Sequence, residues 1–287
     1  MNTKLKLNLF AFISVFLWAA AFPLTKVAGS DFSPYCLGLI RCTVAAITLF
    51  ILGQFLHIRK PFRPKDVLLL LAAGISGFAL YLIFFNTGIA TVSSATSSVI
   101  IASTPIMTAI VCSRVYKEKI SPTGWISILI AFIGVNILLF AKGTLSINIG
   151  IIWTLFAAVV FCIYNVLNRK LSSIGYTSVE IVTYGMISAA VALMFCLPQT
   201  VTELSSASYL SILLAIALGL LPSATSYVLW AKAMELATKT NEVTNYMFVT
   251  PLLSTVMGFI LLNEIPDLGT LIGGGIIIFS VILFSKS

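Results

Sequence analysis

When the apolar stretches of this 287-residue chain are threaded alternately through a bilayer, fourteen of its seventeen Lys and Arg residues fall on one side and one falls on the other. Short links that keep Lys and Arg mark the cytoplasmic face of a membrane, so this asymmetry predicts topology and orientation together. Both termini are then cytoplasmic, with Lys4, Lys6, the link from Arg59 to Lys65, Arg114 to Lys119, Arg169, Lys170, Lys232, Lys239 and Lys286 inside and only Lys142 in an outside link. The remaining two, Lys26 and Arg41, stand inside or at the end of apolar stretches.

Hydrophobic residues make up 59% of the chain and charged residues 9%, too few to cover the core of a soluble domain of this size. About 20 apolar residues suffice for a helix to cross about 30 Å of hydrocarbon. Ten such stretches are predicted, near 9–28, 33–56, 67–87, 95–116, 123–141, 149–168, 177–197, 208–230, 243–262 and 266–284. The expected fold is therefore an all-α membrane protein with ten transmembrane helices. The short links leave no room for an ATPase, kinase or separate ligand-binding domain, so any work done on a solute must draw on energy from outside the polypeptide.

A formal charge of +8 could suit a nucleic-acid partner, but its confinement to alternate links is what membrane orientation alone requires, and no nucleic acid is expected. Lys4 and Lys6 ahead of an apolar run ending in WAAAF resemble a secretory signal; cleavage is not expected, because the same segment is needed as partner to the sixth stretch in an internal repeat. Cys36, Cys42, Cys112, Cys162 and Cys196 lack CxxC spacing and read as apolar thiols rather than metal ligands or disulfides. No metal or cofactor is expected.

The repeat emerges on shifting the chain against itself. An offset of 146 places Tyr81 on Tyr227, Pro105 on Pro251 and Glu118 on Glu264, and an offset of 143 places Lys26 on Arg169 and Trp18 on Phe161. Each copy, 1–143 and 144–287, holds five spans. Five is odd, so the second copy enters the membrane from the opposite side, and binding is expected at the midplane between the halves. Charge agrees: the basic link HIRKPFRPKD after span two corresponds to LPQTVTELSSA after span seven, which has no positive charge, and VYKEK after span four corresponds to LLNEIPD after span nine.

These residues resemble the EamA branch of the drug/metabolite transporter superfamily over essentially the whole chain. Span one carries WAAAFPLTK and span two LIRCTVAA, and the stretch from NTGIATVSSATSSVIIASTPIM through VYKEK to AFIGVNILLF is similar to the family's fourth and fifth helices, with Pro, Glu and a Gly-containing helix in order. The sixth span departs from the pattern, with Phe161 and Tyr164 in FCIYNVLNRK where a Trp could stand. The resemblance implies that spans one, three, four, six, eight and nine surround the pathway while five and ten lie at the back.

Polar and aromatic side chains within spans are costly in hydrocarbon and therefore informative. Tyr81 lies on a stripe with Phe78, Leu82 and Phe85 in span three, and Tyr227, with Trp230 beside it, occupies the matching place in span eight; Ala73, Gly74 and Gly77 form a small-residue surface. Two symmetry-related tyrosines can offer hydroxyls and rings to a solute, or can simply bridge helices. Trp18 and Phe22 in span one, Tyr164 and Asn165 in span six and Asn245 in span nine complete the expected substrate-binding set of Trp18, Phe22, Tyr81, Phe85, Tyr164, Asn165, Tyr227, Trp230 and Asn245. Lys26 and Arg169 are expected to snorkel to opposite interfaces, Glu118 and Glu264 to orient helix ends and gate contacts, and Glu242 is the candidate proton carrier. Arg41, about 12 Å into span two at 1.5 Å per residue, needs a carbonyl, water or acidic partner; carboxylate recognition and a structural role both remain open.

His57, the single histidine, sits in a basic link with no HExxH or paired acidic motif, so an enzyme is not expected. The expected function is multi-pass secondary transport of a small organic metabolite, such as an amino acid or related solute, outward across the cytoplasmic membrane by alternating access, driven by protons as coupling ion or by exchange. The alternative is an importer or exchanger of nucleotide-related or cofactor-like solutes. A non-transporting receptor or scaffold is a third reading. The lipid bilayer and the small-molecule substrate are the expected partners.

Overall fold

The computed structural model describes residues 3–55, 63–117, 119–140, 148–237 and 241–285, and among these every regular element is helical. We label them α1 (Thr3–Ala28), α2 (Pro34–Phe55), α3 (Pro64–Ile89), α4 (Ser94–Val115), α5 (Pro122–Phe140), α6 (Ile149–Ser173), α7 (Ser178–Ala192), α8 (Leu197–Ser206), α9 (Tyr209–Leu236), α10 (Thr250–Leu262) and α11 (Leu268–Ser285). Seven of them, α1 to α4, α6, α9 and α11, are long and apolar enough to cross a membrane, and α7 with α8 makes an eighth candidate if the pair, bent by 44°, is one span. Large apolar side chains such as Phe12, Phe50, Phe132, Phe195, Phe259 and Phe279 point outward over much of the surface, as a lipid solvent requires.

Helix starts follow local chemistry. Thr96 N donates to Ser93 Oγ at 3.1 Å, Gly150 N to Asn148 Oδ1 at 2.9 Å and Ser211 N to Ser208 Oγ at 3.3 Å, while Thr177 and Glu180 form a reciprocal capping box. One link departs from expectation. The segment after α7, read from sequence as a loop, continues as α8: Pro198 stands in its first turn, where a missing N–H costs nothing, and the Gln, Thr and Glu that follow alternate with apolar residues at helical spacing.

Helix irregularities recur at the repeat offset. The backbone widens into a π turn at Ile75–Leu80 in α3 and at Leu221–Thr225 in α9, and the two first residues are 146 apart. Backbone carbonyls cannot be left bare in hydrocarbon, and hydroxyls supplement the bonding along these turns. Ser76 Oγ donates to Ala72 O at 2.7 Å, Thr225 Oγ1 to Leu220 O at 2.8 Å and Ser226 Oγ to Leu221 O at 3.1 Å. Lys117 and Asn263, also 146 apart, are the non-glycine residues with positive φ, at 55° and 52° among the described residues. Asn263 ends α10 with Asn263 N on Phe259 O and Glu264 N on Gly258 O, a left-handed cap that turns Glu264 back over the helix end. Pro105 and Pro251 each sit in the first turn of a helical restart, after a break at Ser103 and a tight 3-10 turn at Asn245–Val249.

The packing exchanges helices between the two halves of the chain. α1 lies against α9 and α10, and its counterpart α6 lies against α3 and α4. α2 packs on α7 and α9, α7 also packs on α3, and α5 pairs with α11, which also packs on α4. Glycines permit the close approaches: a Cβ on Gly74 would stand 2.5 Å from Gly185 O of α7, one on Gly150 2.7 Å from Gly88 O of α3, and one on Gly134 2.9 Å from Gly273 O of α11. Asp31, in the turn between α1 and α2, ties that turn to the start of α9 by accepting from Ser208 N at 3.0 Å and Ser208 Oγ at 2.6 Å.

Two outcomes are expected. Gly74→Leu must push α3 from α7 and should cost about 1–3 kcal/mol, whereas Gly275→Leu, whose Cβ meets nothing within 4 Å, should leave the thermal midpoint in detergent unchanged. The Ser208 hydroxyl, with Ser211 and the Ser208 amide, holds the Asp31 carboxyl at about 2 against an ordinary 3.8. Its contribution is therefore complete above about pH 4 and lost as pH falls toward 2. An acid titration of Asp31→Asn should show a smaller stability loss over that window than the parent protein.

Candidate functional site

Rings from α1, α3, α6 and α9 form one continuous path between the halves. Trp230 meets Trp18 at 5.2 Å between centroids, Trp18 meets Tyr227 at 5.3 Å, Tyr227 meets Phe78 at 5.9 Å and Phe78 meets Tyr164 at 5.1 Å. From Tyr164 the path runs to Phe161 at 5.4 Å, to Tyr81 at 5.0 Å, to Phe85 at 5.6 Å and to Phe22 at 5.2 Å. Most of these pairs are tilted or edge-on, as the ring quadrupoles favour, while Tyr81 with Phe85 and Phe161 with Tyr164 are stacked. All seven aromatic residues expected from sequence lie on the path. Phe22, Phe85 and Tyr164 are buried, and Trp18, Tyr81, Tyr227 and Trp230 are half-buried.

The π turns position this path. Trp18 Nε1 donates to Pro222 O at 3.1 Å, a carbonyl in the widened turn of α9, and so fixes the indole of α1 against Tyr227. In α3 the turn carries Phe78 and ends at Leu80, one residue before Tyr81. Two rings that join the path, Phe78 and Phe161, were not in the expected set. The available signals were the stripe that Phe78 shares with Tyr81 and the offset that pairs Phe161 with Trp18.

The expected polar residues behave differently. Asn165 donates through Nδ2 to Thr108 Oγ1 of α4 at 3.2 Å, a helix-to-helix bond. The Asn245 side chain, like Glu118, lies outside the described residues. Asn168 reaches Tyr164 Oη at 3.4 Å, and Asn86 donates to Pro34 O at 2.8 Å. Glu242 is exposed.

Lys26 does not simply snorkel. Its Nζ donates to Glu264 Oε1 at 2.6 Å and to Val92 O at 3.0 Å, while Glu264 Oε2 accepts from Ser94 N at 2.7 Å, in the first turn of α4. This ties the end of α1 to the end of α10 and the start of α4, with the carboxylate at a helix N-terminus, where backbone N–H groups favour negative charge. The contact spans 238 residues of sequence, so no local pattern could have revealed it. Its repeat mate Arg169 lies over the Tyr116 ring, 4.7 Å from the centroid.

Comparisons with known proteins agree with this architecture. The model of the EamA-like transporter family matches residues 5–140 and 148–286, once in each half. The chain is 30% identical to the uncharacterized transporter YdfC of Bacillus subtilis, over 90% of this chain and 84% of that one. It is 28% identical to a probable terminal-alkyne amino-acid exporter of Streptantibioticus cattleyicolor, over 96% and 91%. An S-adenosylmethionine uptake transporter of Rickettsia prowazekii is 26% identical, over 66% of this chain and 62% of that one. A crystal structure 17% identical in sequence shares the fold, with a TM-score of 0.64 over 98% of this chain and 96% of the other.

The Lys26 and Glu264 pair is partly exposed, at 30% and 13% of side-chain area, so its coupling should be modest. A double-mutant cycle with Lys26→Met and Glu264→Gln, read by thermal unfolding in detergent, should give about 1 kcal/mol. A coupling of zero would remove the tie as a stabilising contact.

Proposed function

Because this chain belongs to the EamA-like transporter family, we propose that it is a secondary carrier moving a small organic metabolite, such as an amino acid or related solute, outward across the cytoplasmic membrane. Its ten crossings are the seven long helices, the bent α7–α8 pair and the shorter apolar helices α5 and α10. They divide into inverted repeats, 1–143 and 144–287, with both termini in the cytoplasm. The paired π turns, the paired left-handed caps and the reciprocal packing of α1 and α6 all support a twofold relation between the halves.

The observation that carries the reading is the ring path itself, because it crosses between halves through Trp18 with Tyr227 and through Phe161 with Tyr81. We assign it as the lining of the solute pathway, with Trp18, Phe22, Tyr81, Phe85, Tyr164, Tyr227 and Trp230 joined by Phe78 and Phe161. Rocking of the halves would open and close it. The tie of Lys26 to Glu264 is the gate at the outer end. A proton gradient or exchange supplies the driving force. Outward movement of an amino-acid-like solute is supported by the exporter among the relatives, and the uptake transporter supports the second reading, import of a cofactor-like solute.

The test compares small molecules in medium and cytosol of cells expressing the intact protein or a Trp18→Ala, Tyr227→Ala variant at matched levels. A compound depleted inside and enriched outside only with the intact protein is the expected result. Enrichment inside would reverse the direction. Tyr227→Ala alone should abolish transport while leaving the protein inserted, and unchanged transport by both Tyr227→Ala and Tyr81→Ala would overturn the pathway assignment.

A further inference from the structure

Arg41 is buried in the bundle without an anion. It stands seven residues beyond Pro34 in α2, about 10 Å along the helix at 1.5 Å per residue, and is 5% exposed. Nη1 donates to Thr25 Oγ1 of α1 at 3.1 Å, and Nη2 reaches Ser223 Oγ, in the π turn of α9, only at 3.5 Å. The Nε–H has no partner. Both contacts are neutral hydroxyls, and among the described residues no carboxylate pairs with this guanidinium. Ser223 follows Pro222, whose carbonyl holds the Trp18 indole, so Arg41 touches the turn that fixes the ring path.

We infer that Arg41 binds the carboxylate of the transported solute, an inference that rests on the assignment of the ring path as the solute pathway. A cation held out of water without a counter-ion costs several kcal/mol, and this one is held by three helices in a fixed place. Nε, which has no partner, and Nη2, whose contact with Ser223 is long at 3.5 Å, point the same way and match the two oxygens of a carboxylate. Charge narrows the class. A single cation flanked by hydroxyls balances one negative charge, whereas a phosphate dianion would call for a second cation. The aromatic residues beside it fit the apolar or aromatic body of such a solute. The class is therefore a small monocarboxylate with an apolar body, as in an apolar amino acid.

The full-length protein in detergent is titrated with apolar and aromatic amino acids, each paired with its carboxamide and its decarboxylated amine, and binding is read from the thermal midpoint and from tryptophan fluorescence. At least one acid should bind, and its amide and amine should bind at least about tenfold more weakly, as expected on losing a bidentate charge-assisted contact. This comparison needs no variant and so survives if Arg41 variants fail to fold. In Arg41→Gln the preference for acid over amide should vanish, and Arg41→Lys should keep a reduced preference. Equal binding of acid and amide, binding of amines alone, no binding by any acid, or an undiminished preference in a folded Arg41→Gln protein would overturn the inference. If the acids fail while transport still depends on Tyr227, the carboxylate assignment falls and the pathway stands. If transport ignores Tyr227→Ala and Tyr81→Ala, both fall.

Discussion

In hydrocarbon a backbone amide or carbonyl has no water to turn to, and this one constraint organises the molecule. It makes every described element helical and confines irregular backbone to places where side chains can take over. The π turns of α3 and α9 show how this is done. Along them the hydroxyls of Ser76, Thr225 and Ser226 donate to carbonyls of the same helix, and Pro222 O accepts from the indole of Trp18. The irregular turns are thus also where the ring path is fixed. A turn that widens a helix rotates the residues after it, and here the residues so placed are Tyr81 and Tyr227.

Much of this architecture was legible in the amino-acid sequence, because the signals involved are additive. Hydropathy summed over twenty residues marks a span. The offsets that paired Tyr81 with Tyr227 and Glu118 with Glu264 also foretold where the backbone would repeat its π turns and left-handed caps, although the turns themselves left no mark in composition. What could not be read was anything decided by one hydrogen bond or one distant partner. The bend at Leu193 and the continuation into α8 depend on a local break that apolar patterning does not record. Asn165 stood out by its polarity alone, and the hydroxyl on α4 that its amide nitrogen reaches left no mark in the pattern. Lys26 looked like an interfacial anchor until its partner appeared on the far side of the sequence.

The arrangement of helices links the two ends of the molecule to its centre. α1 belongs to the first half by sequence and to α9 and α10 by contact, and α6 makes the reciprocal exchange. Trp18 and Lys26, both on α1, therefore join the halves at two levels, one through rings and a carbonyl and the other through an ion pair. α5 and α11, whose glycines allow them to pack closely on each other, join the halves once more, and α11 also packs on α4.

The exchange of α1 also sets a condition on how the protein is made. Lys26 emerges 238 residues before Glu264, which at about 5–20 residues per second is a delay on the order of 10–50 s. For that interval the ammonium of the first helix lacks its carboxylate, and for most of it the indole N–H lacks Pro222 O, 204 residues on. Synthesis must therefore hold α1 near the insertion machinery, or shield its polar face with lipid headgroups and water, until the last quarter of the chain arrives.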